Sequence, residues 1–286
     1  WIVSRQLDED INEDFFYRKL KTAMDLRQSF YEDLSTTAFR IFNGEGDGFG
    51  GFTIDYFEGY YLVTWYSVGV YTFKEDILDA LKRVAKCKGI YQKKRFNDQG
   101  KYVEDNDFVW GEEAPEPLII QENDVNFAVY LNDGPMVGIF LDQREVRKTI
   151  RDNYASGKTV ANTFSYTGAF SVVAALGGAT ETTSVDLANR SRAKTKEQFE
   201  VNGINSDEKN IIVDDVFNFF KYAAIFIGII GVAYFMNTSI FNKNDNDLVN
   251  TEEDIILKLD NGKTKIISSE GIEKVVNSKG EVIGTK

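Results

Sequence analysis

The stretch Val160-Ala-Asn-Thr-Phe-Ser-Tyr-Thr-Gly-Ala-Phe170 decides the fold, because it predicts a strand, a tight turn and the start of a helix. Gly168 can bring the backbone close to a ligand because it has no Cβ atom. The first N–H groups of the following helix are free to donate hydrogen bonds to that ligand. Asp186 follows about 20 residues later, at the predicted end of the next strand, where a carboxylate can accept hydrogen bonds from a ribose. The pattern indicates a nucleotide site, although a plain strand–turn–helix junction with a helix cap would look the same over so short a stretch.

Strands and helices alternate around this stretch, which predicts a parallel sheet with helices on its faces. Ligands of such sheets bind at the carboxyl ends of the strands. Asp214 and Asp215 follow the third predicted strand, where a carboxylate or backbone group could reach an adenine amino group. The predicted elements are helix 142–154, strand 158–163, helix 168–177, strand 181–186, helix 188–202 and strand 210–213.

The preceding sequence predicts a small α+β domain, so the fold class is α/β with a Rossmann-like sheet after an α+β region. Residues 97–117 are polar and rich in turn formers, which makes them a candidate boundary, and 118–131 alternate as a hairpin around Asn123-Asp124. The predicted elements of the first region are helix 12–31, strands 37–42, 51–56 and 60–66, helix 72–86 and strand 89–95.

The amino-acid composition limits the catalytic groups, metal sites and disulfides that the chain can have. The 286 residues include one Cys and no His, and the formal net charge is −12. Without His there are no His bases or His metal sites, and the carboxylates lack metal-ligand spacing, so we predict no metal. A single Cys87 cannot form an intramolecular disulfide, which favours a cytoplasmic location.

The net charge has the wrong sign for a surface widely covered by nucleic-acid contacts, which need Lys and Arg. One predicted strand nevertheless carries a group of basic residues, which is either a local basic patch or an ordinary solvated face. This group consists of Lys86, Lys88, Lys93, Lys94 and Arg95.

Longer motifs make the interpretation more specific. Asn162–Phe170, with Gly177-Gly178-Ala179 and Ser184-Val-Asp186 behind it, resembles motifs I and II of the class I 23S ribosomal-RNA 5-methylcytosine methyltransferases, which use S-adenosylmethionine. Gly138-Ile-Phe-Leu-Asp-Gln-Arg144 resembles the box before motif I in that family. The other resembling stretches are Phe39–Glu45 and Asp47–Asp55 of the central domain and Asp214–Phe217 of motif III.

The resemblance covers residues 1 to about 222 and implies a central α+β domain over 1–117 and a Rossmann-like methyltransferase domain, here truncated, over 118–222. A PUA RNA-binding domain precedes these two in the family. The implied cofactor is S-adenosylmethionine, and the implied partner is large-subunit ribosomal RNA, methylated at cytosine C5. The residues carried over are Gln143 and Arg144 as cofactor contacts, Phe164, Tyr166 and Gly168 along the methionine and ribose, Asp186 on the ribose and Asp215 near the adenine.

The resemblance stops at about Tyr222. The family continues with a strand ending in Asp-Pro-Pro and, later, a cysteine whose thiolate adds to cytosine C6 so that C5 can accept the methyl group. No Pro follows Pro135 and no Cys follows Cys87. We therefore predict no catalytic residue and no methyl transfer by this chain. The alternatives are a non-catalytic binder of S-adenosylmethionine, nucleotide or RNA, and a membrane-anchored interaction protein.

The sequence changes character after residue 222. Residues 223–242 carry no charge, are largely apolar and lie between Lys221 and Lys243. Their length predicts either a membrane span, and hence a membrane-associated protein, or a buried element. Residues 243–286 predict a small β-rich tail with a hairpin of 254–259 and 263–268 around Asp260-Asn-Gly262 and a last strand after 278–280.

Overall fold

The computed structural model describes residues 4, 8–96, 107–134, 136–221 and 234, together with four short strands between 255 and 285. The chain divides into two units, Trp1–Tyr222 and Ala223–Lys286. Apart from Tyr234, the predicted apolar segment 223–242 lies outside the described residues. Within the described part, no helix has the length and apolar character needed to cross a bilayer. The cytoplasmic location stays a prediction.

The first region of the larger unit is a five-stranded sheet covered by helices. Its strands lie in the order β1 (Ala38–Asn43), β2 (Phe52–Phe57), β3 (Tyr60–Trp65), β4 (Gly89–Lys94) and β5 (Phe108–Gly111). Neighbouring strands are antiparallel except β3 and β4, which are parallel. The helices are α1 (Glu13–Asp25), α2 (Gln28–Glu32), α3 (Val68–Tyr71) and α4 (Lys74–Val84).

The predicted α+β region is confirmed with two differences. The predicted helix 12–31 is interrupted after α1, because Phe30 and Tyr31 turn to pack on the Phe39 ring at centroid distances of 5.4 and 4.8 Å. Strand β5 lies within 97–117, which we expected to be only polar turns. It pairs with β4, and the ring of its Phe108 packs at 5.4 Å from Tyr91.

The second region begins with an antiparallel hairpin and continues as a parallel sheet. The hairpin joins β6 (Leu118–Glu122) to β7 (Val125–Val129), as predicted. The parallel sheet has the order β10 (Asn210–Val213), β9 (Glu181–Asp186) and β8 (Thr159–Thr163). Its helices are α5 (Arg144–Thr149), which continues as a π-helical turn over Ile150–Tyr154, α6 (Ala169–Leu176) and α7 (Asn189–Glu200). The predicted alternation and the α/β fold class are confirmed.

The two regions share a hydrophobic core. One face of the five-stranded sheet contributes Phe57 and Leu62, the hairpin contributes Phe127, and α6 and α7 contribute Val172 and Phe199. All five side chains are buried. A division of the unit at residue 117 stays a prediction, since its two halves bury apolar surface against each other.

Helix α7 completes the free edge of β7 with side-chain amides. Gln198 accepts a hydrogen bond from Ala128 N at 2.9 Å and donates one to Ala128 O at 2.7 Å. One turn later, Asn202 makes the same pair with Asn126, at 3.0 and 2.7 Å. Gln198 lies in the last turn of α7 and Asn202 in the turn that follows it, and together they give the backbone groups of both strand residues partners.

A buried ion pair joins the hairpin to α5. Arg147 donates to both carboxylate oxygens of Glu122 at 2.7 Å, and each side chain is only 1% exposed. Arg147 Nη2 also donates to the Phe140 carbonyl oxygen at 2.7 Å. The guanidinium lies 5.6 Å from the centroid of the Phe170 ring of α6. One side chain therefore fixes four segments of the chain.

The smaller unit contains two hairpins in its described parts. Strand β11 (Ile255–Lys258) pairs antiparallel with β12 (Thr264–Ile267), and β13 (Lys274–Val276) pairs antiparallel with β14 (Val282–Thr285). The strands on both sides of Asp260-Asn-Gly262 agree with the predicted hairpin, and β14 agrees with the predicted last strand.

We expect Arg147→Met to lower the free energy of unfolding by about 3–5 kcal/mol, because it leaves the buried Glu122 carboxylate without its counter-charge. The matched control is Lys21→Met, which removes the exposed Lys21–Asp25 pair and should cost less than about 1 kcal/mol. Urea unfolding followed by tryptophan fluorescence measures both. Equal losses for the two variants would show that burial of the pair is unimportant.

Candidate functional site

A strained turn follows β8 at the carboxyl edge of the parallel sheet. Phe164, Tyr166 and Gly168 have φ angles of 56°, 52° and 80°. This left-handed conformation is uncommon for residues other than glycine, and strain of this kind concentrates at ligand sites. Ser165 N donates to Val185 O at 3.0 Å, so the turn is attached to β9.

Asp186 holds this turn with its carboxylate. Its Oδ2 accepts from Tyr166 N at 2.8 Å, and its Oδ1 accepts from Ala188 N at 2.9 Å. Each carboxylate oxygen has two lone pairs, so both can accept a further hydrogen bond. The side chain is partly exposed. Asp186 therefore shapes the turn and still presents acceptors at the strand ends.

Gly168 has a different close contact from the one that the sequence suggested. A Cβ atom at Gly168 would lie 2.5 Å from Thr195 Cγ2 and 3.0 Å from Thr195 Oγ1. The glycine therefore allows the start of α6 to pack against α7. Its positive φ is a second reason for glycine at this position.

Large apolar side chains are exposed just after each of the three parallel strands. Phe164 after β8, Leu187 after β9 and Phe217 after β10 are 74%, 70% and 82% exposed. The register pairs Thr163 with Val185 and Asp186 with Val213, so the three strands end at the same edge. Exposed apolar groups at one edge, beside carboxylates, suit a flat aromatic ligand with hydroxyl groups.

Sequence reasoning selected Phe164 but missed Leu187 and Phe217. For Leu187 the signal available was a bulky apolar residue directly after Asp186, the acid that ends β9. Phe217 lies within the helix over 216–221, and its sequence position gave no such signal. Burial, which the sequence does not give, separates these residues from core positions.

Asp215 lies at the same edge, but its carboxylate is engaged by the chain. Its Oδ1 accepts from Phe217 N at 2.7 Å, as in a helix cap before the helix over 216–221. The neighbouring Asp214 N donates to Asp186 O at 3.1 Å, which joins the third strand end to the second. Among the described residues, these carboxylates form no group that could hold a metal ion.

Gln143 and Arg144, also predicted as cofactor contacts, lie outside the turn after β8. Both are half-buried at the start of α5. The Arg144 guanidinium lies 4.5 Å from the centroid of the Phe30 ring, and Arg144 Nε is 3.0 Å from Glu145 Oε1. Arg144 thus contacts the α+β region. The predicted cofactor roles of both residues stay predictions.

Tyr166 connects the turn to the segment before α5. Its ring packs 5.6 Å from Phe140, and the adjacent Thr167 hydroxyl donates to Gly138 O at 2.6 Å. Burial raises the pKa of the Tyr166 phenol, against the opposing effect of the Arg190 positive charge. The hydroxyl is therefore protonated at neutral pH and can act as a hydrogen-bond donor.

The predicted basic group around β4 does not form one surface. Lys93 is 1% exposed and forms a buried ion pair with Asp107, whereas Lys94 lies over the Tyr71 ring. Lys88 donates to Glu58 O at 2.9 Å. Successive strand residues point to opposite faces, which separates charges that are adjacent in sequence.

Cys87 packs against the core of the α+β region, and its thiol faces the carbonyl oxygens of Leu81 and Ala85. Burial raises the pKa of this thiol to about 12. Since the thiolate is the nucleophilic form, Cys87 is poorly suited to covalent catalysis.

Comparisons with known proteins indicate the family of this chain. A family model described as S-adenosylmethionine-dependent methyltransferase matches residues 39–236. The match extends into the apolar run, beyond the limit of about 222 that the motifs gave. A Bacillus subtilis protein provisionally named a ribosomal RNA large subunit methyltransferase, YwbD, is 59% identical over 78% of this chain and 57% of its own length.

Ribosomal RNA large subunit methyltransferase I of Aeromonas salmonicida is 32% identical over 75% of this chain and 54% of its own length. The chain thus spans about half the length of the curated relatives that it matches. A Streptococcus mutans protein provisionally described as a SAM-dependent methyltransferase superposes with a TM-score of 0.74 at 44% identity, covering 78% of this chain and 58% of that one. A further solved structure, a provisionally described methyltransferase complexed with SAH, has a TM-score of 0.73 and 44% identity, covering 78% and 57%.

We expect Gly168→Ala to destabilise the larger unit more than Gly157→Ala. Both glycines have positive φ, 80° and 70°, but a Cβ at Gly157 would meet nothing within 4 Å. Backbone strain alone should cost about 1–2 kcal/mol at Gly157, whereas the clash at Gly168 adds about 1–3 kcal/mol. Adding Thr195→Ala should restore part of that stability. Thermal unfolding measures the series, and equal losses at the two glycines would contradict the packing role.

We expect iodoacetamide to alkylate native Cys87 at least about 100-fold more slowly than the urea-unfolded chain at pH about 8.5, where an ordinary cysteine is half ionised. The reason is the raised pKa, which keeps the thiol protonated until the pH approaches that value. Mass spectrometry gives both rates, because Cys87 is the single cysteine. Similar rates would show an ionised, accessible thiol.

Proposed function

The chain belongs to the S-adenosylmethionine-dependent methyltransferase family, and from this premise we propose that it binds S-adenosylmethionine at the carboxyl edge of β8, β9 and β10. The observation that carries the proposal is the Asp186 carboxylate, which holds the left-handed turn through Tyr166 N and still has lone pairs for two ribose hydroxyls. Phe164 and Gly168 are the other two left-handed residues of the turn. Asp186 would be the ribose-binding residue.

The adenine would lie between the exposed apolar side chains of Leu187 and Phe217. Stacking and apolar contacts suit its flat ring. With Asp215 Oδ1 accepting from Phe217 N, the backbone of this segment is fixed next to the proposed adenine position. Gln143 and Arg144 would approach the cofactor from the segment that Tyr166 contacts.

The substrate that we propose for this family member is large-subunit ribosomal RNA, methylated at cytosine C5. The support is the naming of the relatives in B. subtilis and A. salmonicida as ribosomal RNA large subunit methyltransferases. The cytosine C5 position rests on the motif resemblance alone.

We propose that the 286-residue chain alone binds the cofactor without transferring its methyl group. Methylation at C5 needs a thiolate that adds to C6, so that C5 can attack the sulfonium methyl. Cys87 is the single thiol, and its pKa is raised to about 12 by burial in the α+β core. A binding function is therefore the second candidate, favoured by the state of this cysteine.

Calorimetric titration with S-adenosylhomocysteine tests the cofactor proposal. We expect one site, with Leu187→Ala and Phe217→Ala each weakening binding about two- to tenfold through lost stacking and apolar contact. Phe220→Ala is the matched control, because Phe220 is also exposed, at 53%, but lies further along the helix over 216–221. An absent site, or an equal loss at Phe220, would refute the proposal.

The same protein preparation tests whether the chain transfers the methyl group to RNA. Incubation with radiolabelled S-adenosylmethionine and unmodified large-subunit ribosomal RNA should give no incorporation above the chain-free control. Incorporation above that control would contradict the non-catalytic assignment without affecting the cofactor site, and Cys87→Ser would then show whether the transfer depends on the single thiol.

A further inference from the structure

A continuous groove runs along the segment 136–145. Three cavities of about 70, 160 and 300 Å³ lie beside this segment. The first two share Met136 and Val137 as walls, and the second and third share Arg40, Leu141 and Asp142. We call this surface the 136–145 groove. It begins beside Tyr166 and ends beside α2.

The charge of the groove is opposite to that of the chain. Seven Lys or Arg and four Asp or Glu residues line it, whereas the whole chain has 33 basic and 45 acidic residues. Two of the seven cations, Arg27 and Lys93, form ion pairs with Asp47 and Asp107, which lie outside the lining, so the basic excess is small. In a protein of net charge −12, a cleft with a basic excess is a local attraction for an anion, because clefts focus the field of their walls.

A cation without a carboxylate partner among the described residues lies at the end of the groove beside Tyr166. Towards α2, the groove cations have carboxylate partners, such as Asp55 for Arg40 at 2.8 Å. At the Tyr166 end, Lys194 is 3.7 Å from Asp133 and lies over the Tyr130 ring. Arg190 is exposed, and its side chain has no hydrogen bond or ion pair within the described part of the chain. It is available to a phosphate.

Exposed aromatic rings lie between the charged positions. Tyr66 is 51% exposed and Phe140 is 40% exposed, and both line the middle cavity. The Phe140 ring packs on Tyr166, and Tyr166 lines the first cavity together with Arg190. Rings that alternate with cations are the pattern by which proteins hold single strands, since bases stack on the rings and phosphates contact the cations.

We propose that the 136–145 groove binds a single-stranded RNA segment, with Arg190 on a backbone phosphate and Phe140 and Tyr66 stacked on bases. The inference rests on the proposed function in taking RNA as the substrate class, and it adds where and in which form the RNA is held. Bases paired within a duplex have no free faces for these rings, so a single strand fits the groove and a double helix does not. The end of the bound RNA that lies beside Tyr166 would place a nucleotide next to the proposed cofactor turn.

Fluorescence anisotropy without cofactor tests the groove. The probe is a labelled single-stranded RNA of about 12 nucleotides, within the site size of single-strand binders. The same sequence as a duplex and an acidic peptide of equal charge are the comparison ligands. We expect the full chain to prefer the single strand at least about tenfold over both.

Arg190→Gln should weaken binding several-fold and reduce the slope of log affinity against log salt by about 0.7, as expected for one lost single-strand phosphate contact. The matched control is Arg192→Gln, which removes an exposed cation of the same helix that does not line the groove. Phe140→Ala should weaken binding about fivefold or more, the effect of one lost stack, while leaving the salt slope unchanged.

Equal effects of Arg190→Gln and Arg192→Gln, or equal affinity for single strand and duplex, would overturn the proposal. Preference for the acidic peptide would identify a protein partner and would also overturn it. The cofactor proposal is tested separately by the titration above: binding of S-adenosylhomocysteine without RNA binding rejects the groove alone. RNA binding with the expected variant effects, but without a cofactor site, rejects the cofactor proposal alone.

Discussion

The buried pair of Arg147 and Glu122 is the interaction on which the arrangement of the larger unit depends. The Arg147 side chain is buried away from water, so its charge requires the Glu122 carboxylate at the end of β6. A second N–H of Nη2 donates to the Phe140 carbonyl oxygen, which sets the path of the segment before α5. Because Phe140 packs on Tyr166, the pair also determines how this segment meets the turn after β8.

Most of the fold was accessible from the sequence, since helices and strands with a clear apolar period bury that face in the structure. The positions of β9 and β10 were predicted to the residue, because each is a short segment of β-forming residues that follows a helical pattern after a turn. Strand β5 was missed, since its four residues lie within a polar segment and gain their partners from the distant β4. The interruption after α1 was also missed, because it depends on the position of Phe39 in space.

The parts of the candidate site that follow a sequence pattern could be predicted. The parts that depend on contacts between distant residues could not. Asp186 and the turn after β8 were found because a strand end, a glycine and an acid occur at a characteristic spacing. The reason for Gly168 was only partly foreseen, since its nearest neighbour is Thr195 on a helix later in the chain. Leu187 and Phe217 became candidates only in the structure, because the sequence does not show that they are exposed.

The amide pairs from α7 to β7 have a consequence for the handling of this chain. An unpaired strand edge is a template for intermolecular β-pairing and aggregation. Gln198 and Asn202 occupy the edge of β7 at Ala128 and Asn126, so the folded unit does not offer these backbone groups to another molecule. During synthesis, however, the hairpin leaves the ribosome about 70 residues before the helix that covers it, as the separation of 70 residues between Ala128 and Gln198 implies. Nascent chains that pause in this interval would expose the unpaired edge of β7. The order of synthesis therefore affects the yield of folded protein.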